Sequence, residues 1–253
     1  MGAKGVQVGL YLSGQDVFIK DCNIVLTQPK IKDIVLFGED EFLIGTQILG
    51  HTNKVINQMR QGNSELEAFS DFQVLLVILR EEETIRDSVM KFLNFIFPQY
   101  EIKIEENAID FYIEQDGKKF IGGRLFPFNF EIFQQTIADL FEPSKDSDEE
   151  YNPANEAAAA IAKKIEAGRK RKQEMQAGKE GPQSLFGRYT SILSVGLQMD
   201  INIFYNYTPF QLYDIFQRYF SKVSSDLYTK VSTTPLMDVS NMEQPKDWSR
   251  NLY

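Results

Sequence analysis

A single histidine, His51, and a single cysteine, Cys22, bound the side-chain chemistry open to this 253-residue chain. A Cys–His nucleophile and base can only be Cys22 with His51, and any Ser–His–acid triad has to run through His51. A structural zinc site wants about four Cys or His ligands, which one residue of each cannot supply. No intramolecular disulfide can form, as suits a reducing compartment. His51 stands in Gly50-His51-Thr52-Asn53 between two helical patterns, with no elbow or partner motif beside it. It therefore reads as a surface loop histidine rather than a general base. Cys22 lies in a β pattern and reads as a small buried apolar group. Gly122-Gly123-Arg124 lacks the spacing and following helix of a phosphate loop. The acidic run at 146–150 lacks the central glycine and later glutamate of a calcium loop. These residues predict no catalytic, cofactor-binding or metal-binding site and a protein that is not an enzyme.

Charge is the next feature that could act on a partner. The chain holds 36 acidic and 27 basic residues, a formal charge of −9, with an isoelectric point near 4.8. The charge is unevenly placed. Positions 139–150 hold six acids and one base, a net of −5, whereas 163–172 hold six bases and one acid, a net of +5. The bases are Lys163, Lys164, Arg169, Lys170, Arg171 and Lys172. Asn152-Pro153 makes an N-cap and first-turn pair, and Ala157-Ala158-Ala159-Ala160 has high helix propensity. After Lys163 the apolar stripe is nearly absent, the pattern of an exposed helix or one awaiting a partner. The bases could meet phosphates without sequence preference, but no aromatic side chains interleave them for stacking. A solvated helix, or one docking on an acidic protein, is the better reading, and nucleic acid is a weak one.

The elements around these residues indicate an α+β fold. It comprises an N-terminal mixed α/β domain with a β-hairpin at 1–142, a charged helical linker at 143–182, and a C-terminal all-helical region with an extended tail at 183–253. Residues 6–27 read as short β segments, broken at Gly14-Gln15-Asp16. Pro29 opens a helical pattern, with Gly38 either interrupting one helix or separating two. Ser70-Asp71-Phe72-Gln73 has capping-box spacing ahead of Leu75, Ile78 and Leu79. A second helix follows the acidic triplet Glu81-Glu82-Glu83, carries Ile85, Val89, Phe92, Leu93 and Ile96, and stops at Pro98. Residues 101–105 alternate as a half-buried strand. Asp116-Gly117 is a hairpin turn between 109–113 and 118–122. Residues 129–142 return to helix with Ile132, Phe133, Ile137, Leu140 and Phe141 on one side. Near the C-terminus, Thr208-Pro209-Phe210-Gln211 is a strong helix start, and Leu212, Phe216, Phe220, Val223 and Leu227 make a continuous stripe. Tyr213, Phe216 and Tyr219 are the aromatic candidates for partner contact, weighed against plain core.

The first residues lack the basic, apolar and small-residue sequence of a secretory signal. The longest apolar run, 74–79, falls far short of the roughly 20 residues that span a bilayer. The chain is therefore expected to be neither secreted nor membrane-inserted.

Three segments in order resemble the tail assembly chaperones of long-tailed bacteriophages infecting Gram-positive hosts. Pro29-Lys30-Ile31-Lys32-Asp33-Ile34 with Phe37-Gly38-Glu39-Asp40-Glu41-Phe42 is similar to their opening. Tyr151-Asn152-Pro153-Ala154-Asn155-Glu156 leading into a basic helix resembles their middle. Thr208-Pro209-Phe210-Gln211-Leu212-Tyr213-Asp214, continuing as Phe216-Gln217-Arg218-Tyr219, resembles their C-terminal helix. The resemblance implies a protein of the host cell cytoplasm, without cofactor, that binds the phage tape measure protein. It would keep that long helical protein soluble while tube subunits polymerise round it. Contact with the tail tube protein and a homo-oligomer are further expectations. The alternatives are a structural virion protein, such as a tail or head-completion subunit found in the virion, and a nucleic-acid-binding accessory protein using the basic run.

Overall fold

A computed structural model describes residues 3–52, 56, 68–142 and 184–234. It is an α+β fold. The elements in order are α1 (Ala3–Ser13), β1 (Val17–Ile19), β2 (Ile24–Leu26), α2 (Ile31–Phe37), α3 (Glu39–Gly50), α4 (Asp71–Glu81) and α5 (Glu83–Ile96). They continue as β3 (Glu101–Ile104), β4 (Ile109–Gln115), β5 (Lys118–Leu125), α6 (Phe130–Phe141), α7 (Leu185–Leu197), α8 (Ile201–Tyr205) and α9 (Pro209–Ser232).

Local signals account for many of the boundaries. Ser70 accepts a hydrogen bond from the Gln73 amide at 3.3 Å, and Gln73 Oε1 accepts from the Ser70 amide at 2.9 Å. That reciprocal box starts α4. Gly38, at φ +113°, separates α2 from α3, because a side chain is strained there. Asp116 and Gly117 both have positive φ, which joins β4 to β5 through the tight turn read from the sequence. β4 is central, antiparallel to β3 on one side and β5 on the other.

Two expectations are corrected. Residues 3–13 form a helix, not a strand. Val6, Val8, Leu10 and Leu12 alternate as a strand does, but the segment docks against the start of α9. There Tyr11 stands edge-on to Phe210 at 5.3 Å and the Leu12 carbonyl accepts from Gln211 Nε2 at 2.7 Å. The downstream β segments are real, and β1 and β2 pair as a short hairpin with Val17, Ile19, Ile24 and Leu26 buried. The second correction concerns α6. Phe133, Ile137, Leu140 and Phe141 face the core, but Ile132 is exposed, lying about 100° round the helix from Phe133 and outside the arc turned to α3 and α9.

The core is centred on α3. Phe42 lies within 5.2–6.2 Å of Phe92 and Phe95 on α5, Phe141 on α6 and Phe186 on α7. One buried cluster takes in the N-terminal elements together with Phe186, Leu193, Phe204, Phe210 and Leu212. Residues 184–212 thus share the core of residues 3–142. Across the sheet, buried Asp110 pairs with Arg124 directly opposite it, through the guanidinium Nε and Nη2. That arrangement satisfies a carboxylate that burial alone would heavily penalise.

Gly45 sets the closest approach in this core. A Cβ there would fall 2.3 Å from Phe92 Cγ, and Phe92 is fully buried. Gly45→Ala is expected to lower stability by about 1–3 kcal/mol through overpacking, read as a lower urea midpoint with an unchanged slope. Gly9→Ala, which meets open space on α1, is expected to match or exceed the parent midpoint, since alanine favours a helix by about 0.5–1 kcal/mol.

Candidate interaction surface

The side chains that could do chemistry are separated. Cys22 lies buried with its sulfur 3.8 Å from the Asn129 carbonyl. Burial, reinforced by the negative charge of Asp21, pushes its pKa up to about 12. His51 caps the end of α3, and its Nε2 lies 2.5 Å from Glu142 Oε2 just beyond α6. A cavity of about 560 Å³ beside it is lined by His51, Ser70, Asp71, Phe130, Glu131 and Gln134 among others. Serine, histidine and aspartate thus share one cavity, but the Ser70 hydroxyl is committed to its helix cap. It accepts from the Gln73 amide and donates to Gln73 Oε1 at 2.9 Å. Among the described residues, no three His, Cys, Asp or Glu side chains are grouped to hold a metal, and no helix is long and apolar enough to cross a membrane.

Exposed apolar surface is concentrated elsewhere. Of the eighteen large apolar side chains exposed among the described residues, eight lie between 195 and 227: Val195, Leu197, Met199, Ile201, Ile203, Phe220, Val223 and Leu227. Three helices position them. Glu39, at the start of α3, accepts hydrogen bonds from the Ser184 hydroxyl and from the amides of Leu185 and Phe186, the last at 3.2 Å. A carboxylate at the positive end of α7 thereby pins that helix to the core. α8 is held through α2, where the Ile31 amide donates to the Tyr207 carbonyl at 2.8 Å and Lys32 Nζ donates to Asn206 at 3.0 Å. α9 begins at Thr208, which exchanges hydrogen bonds with Gln211, and Pro209 fills its first turn.

α9 then leaves the body. Its 24 residues span about 36 Å at 1.5 Å per residue. Leu212 and Asp214 are buried, and Asp214 is paired with Arg218 at 2.9 Å. Tyr213 packs near Phe186 and Tyr189, and Phe216 lies 4.3 Å from Tyr189. The Tyr213 hydroxyl is pushed above the usual tyrosine range, first by burial and then by Tyr189 and the carboxylates of Glu142 and Glu39. Tyr219 lies over Gly196, where a Cβ would come within 2.2 Å of its hydroxyl oxygen. All three predicted aromatic residues are thus half-buried along the seam with α7. No residue from 220 to 234 is buried.

The six predicted bases, Lys163, Lys164, Arg169, Lys170, Arg171 and Lys172, lie outside the described residues. Val195, Met199 and Ile203 were not singled out by sequence reasoning. The available signal was that Ser194-Val195-Gly196-Leu197-Gln198-Met199-Asp200-Ile201 carries apolar residues on more faces than one core can cover. Compared with known proteins, the chain matches no family model, no curated protein and no solved structure.

Two outcomes are expected. At pH 8 a thiol of pKa near 12 is about one part in ten thousand thiolate. Cys22 should therefore stay unlabelled by a thiol reagent in the native chain and react fully once urea unfolds it. Glu39→Ala should cost about 1–2 kcal/mol, the value of a lost helix cap, and raise hydrogen exchange in α7 more than in α4.

Proposed function

We propose that this protein is a tail assembly chaperone of a long-tailed phage, acting in the host cytoplasm to hold the tape measure protein soluble during tail tube assembly. The observation that carries the reading is the set of eight exposed apolar side chains between 195 and 227, on a region whose Phe186, Leu193, Phe204, Phe210 and Leu212 belong to the core. Exposed apolar side chains gathered in one region suit protein contact. A holding protein needs such a surface and needs no covalent chemistry. The resemblance at Thr208-Pro209-Phe210-Gln211-Leu212-Tyr213-Asp214 falls on the helix that presents it. At the level of sequence, the bases of 163–172 supply a second, ionic contact for an acidic partner.

Co-expression with the tape measure protein checks the proposal. Its soluble fraction should rise severalfold, and the two proteins should co-purify. Unchanged solubility without co-purification overturns the reading. A stoichiometric amount of the chain in purified particles also overturns it, in favour of a structural virion subunit.

A further inference from the structure

α1 has little of its own to hold it helical. Its 11 residues fall short of the roughly 12–15 below which an isolated helix is marginal. Gly5 and Gly9 lower its propensity further. No acid stands in its first turn and no base in its last. What holds it is the base of α9. Tyr11, the one buried side chain of residues 7–13, meets the Phe210 ring, and Gln211 Nε2 donates to the Leu12 carbonyl. Yet apolar residues alternate at Val6, Val8, Leu10 and Leu12, the pattern of a half-buried strand.

A strand of that kind has a place to go. β1 and β2 form a two-stranded sheet. Its β2 edge is closed: the Val25 amide donates to the Tyr100 hydroxyl at 3.0 Å, and Gln99 Nε2 donates to the Val25 carbonyl. Val25 therefore points away from β1, and Phe18, directly opposite it, points away from β2. The Phe18 amide and carbonyl have no hydrogen-bond partner among the described residues, and the residue is 56% exposed. The β1 edge is open, and an open edge is a template for another strand.

We propose that residues 6–12 are a two-position element: a helix on α9, as in this structure, and a strand on the open edge of β1 once released. The connection Ser13-Gly14-Gln15-Asp16 has a usual hairpin length of four residues, and Gly14 already holds a positive φ of 68°. It sets Leu12 opposite Val17, Tyr11 opposite Phe18 and Leu10 opposite Ile19. Tyr11 then takes up the two free backbone groups of Phe18, and the two rings make a cross-strand pair on the exposed face. Leu10 and Leu12 fall on the face of Val17 and Ile19, which is the buried one. A slip of one residue would turn them outward, so the pattern specifies this register. Tethered four residues away, the segment reaches this edge at far higher effective concentration than a second copy does. The two positions exclude each other, because Tyr11 cannot meet Phe210 and Phe18 together. Whatever takes the Tyr11 seat on Phe210 thereby adds a strand to β1.

The test is amide exchange and backbone chemical shifts of the full chain by nuclear magnetic resonance. In the parent, residues 8–12 should be helical and the Phe18 amide should exchange freely; a protected Phe18 beside a helical 8–12 overturns the open edge. Gly9→Val with Tyr11→Val favours the strand and removes the ring contact with Phe210. Residues 8–12 should then become extended, and Phe18 exchange should slow at least tenfold while α4 keeps its protection. A segment that turns to coil, or stays helical, with Phe18 unprotected overturns the proposal. Should α4 lose protection in that variant, Gly9→Val alone decides, since a Cβ at Gly9 meets nothing within 4 Å. It should slow Phe18 exchange about threefold, whereas Gly9→Ala should leave it free; equal exchange in the two overturns the switch. Phe18 protection that rises with protein concentration, together with a dimer in light scattering, assigns the edge to a second copy and also overturns it.

Discussion

Phe42 and Gly45 lie one turn apart on the same face of α3, and Phe92 occupies the space that the missing side chain at 45 leaves open. That close approach brings α5 onto α3. Phe42 then serves as the common neighbour of rings from α5, α6 and α7. Edge-on aromatic pairs add about 0.5–1.5 kcal/mol each beyond the area they bury, and they fix direction where aliphatic contacts leave it loose. Four helices from distant parts of the chain are oriented by one side chain. A larger residue at 45 would move Phe92 and with it this whole arrangement.

The polar contacts complete what the rings begin. Glu39 lies three residues before Phe42 and accepts from the first turn of α7, so the helix that delivers Phe186 to the hub is also held by its backbone. His51 at the other end of α3 meets Glu142 at the end of α6. Both ends of α3 are therefore tied to partners 91 or more residues away in sequence. The lone histidine, read as a loop residue, has a structural partner at a helix end. Its cavity neighbour Ser70 has a prior commitment to a cap.

What could be read from the sequence followed the range of the interaction. The capping boxes at Ser70 and Thr208 and the Asp116-Gly117 turn are decided within four residues, and they stand where the sequence placed them. The stripe of α5 is legible because Val89, Phe92, Leu93 and Ile96 are all buried on one face, against α3, α4 and β3. α1 was misread because alternation at 6, 8, 10 and 12 is a local pattern, whereas docking on Phe210 is not. The ties of Glu39 to Leu185 and of His51 to Glu142 had no sequence signal, since neither pair shares an element or a motif. α9 was the subtlest case. Its stripe runs unbroken from Leu212 to Leu227, and periodicity does not register that α7 stops at Leu197.

That mismatch in length leaves half a helix unburied, and it stays helical for a local reason. Starting a helix is costly and extending it is cheap. The packed half of α9, with Leu212 and Asp214 buried and Thr208 capping, meets the cost of the nucleus. The free half then adds residues with no Gly or Pro to interrupt it, and the Lys222–Asp226 pair contributes about 0.3–0.5 kcal/mol in support. The core around Phe42 is thus linked to α9 through α7, whose Phe186 meets both Phe42 and Tyr213.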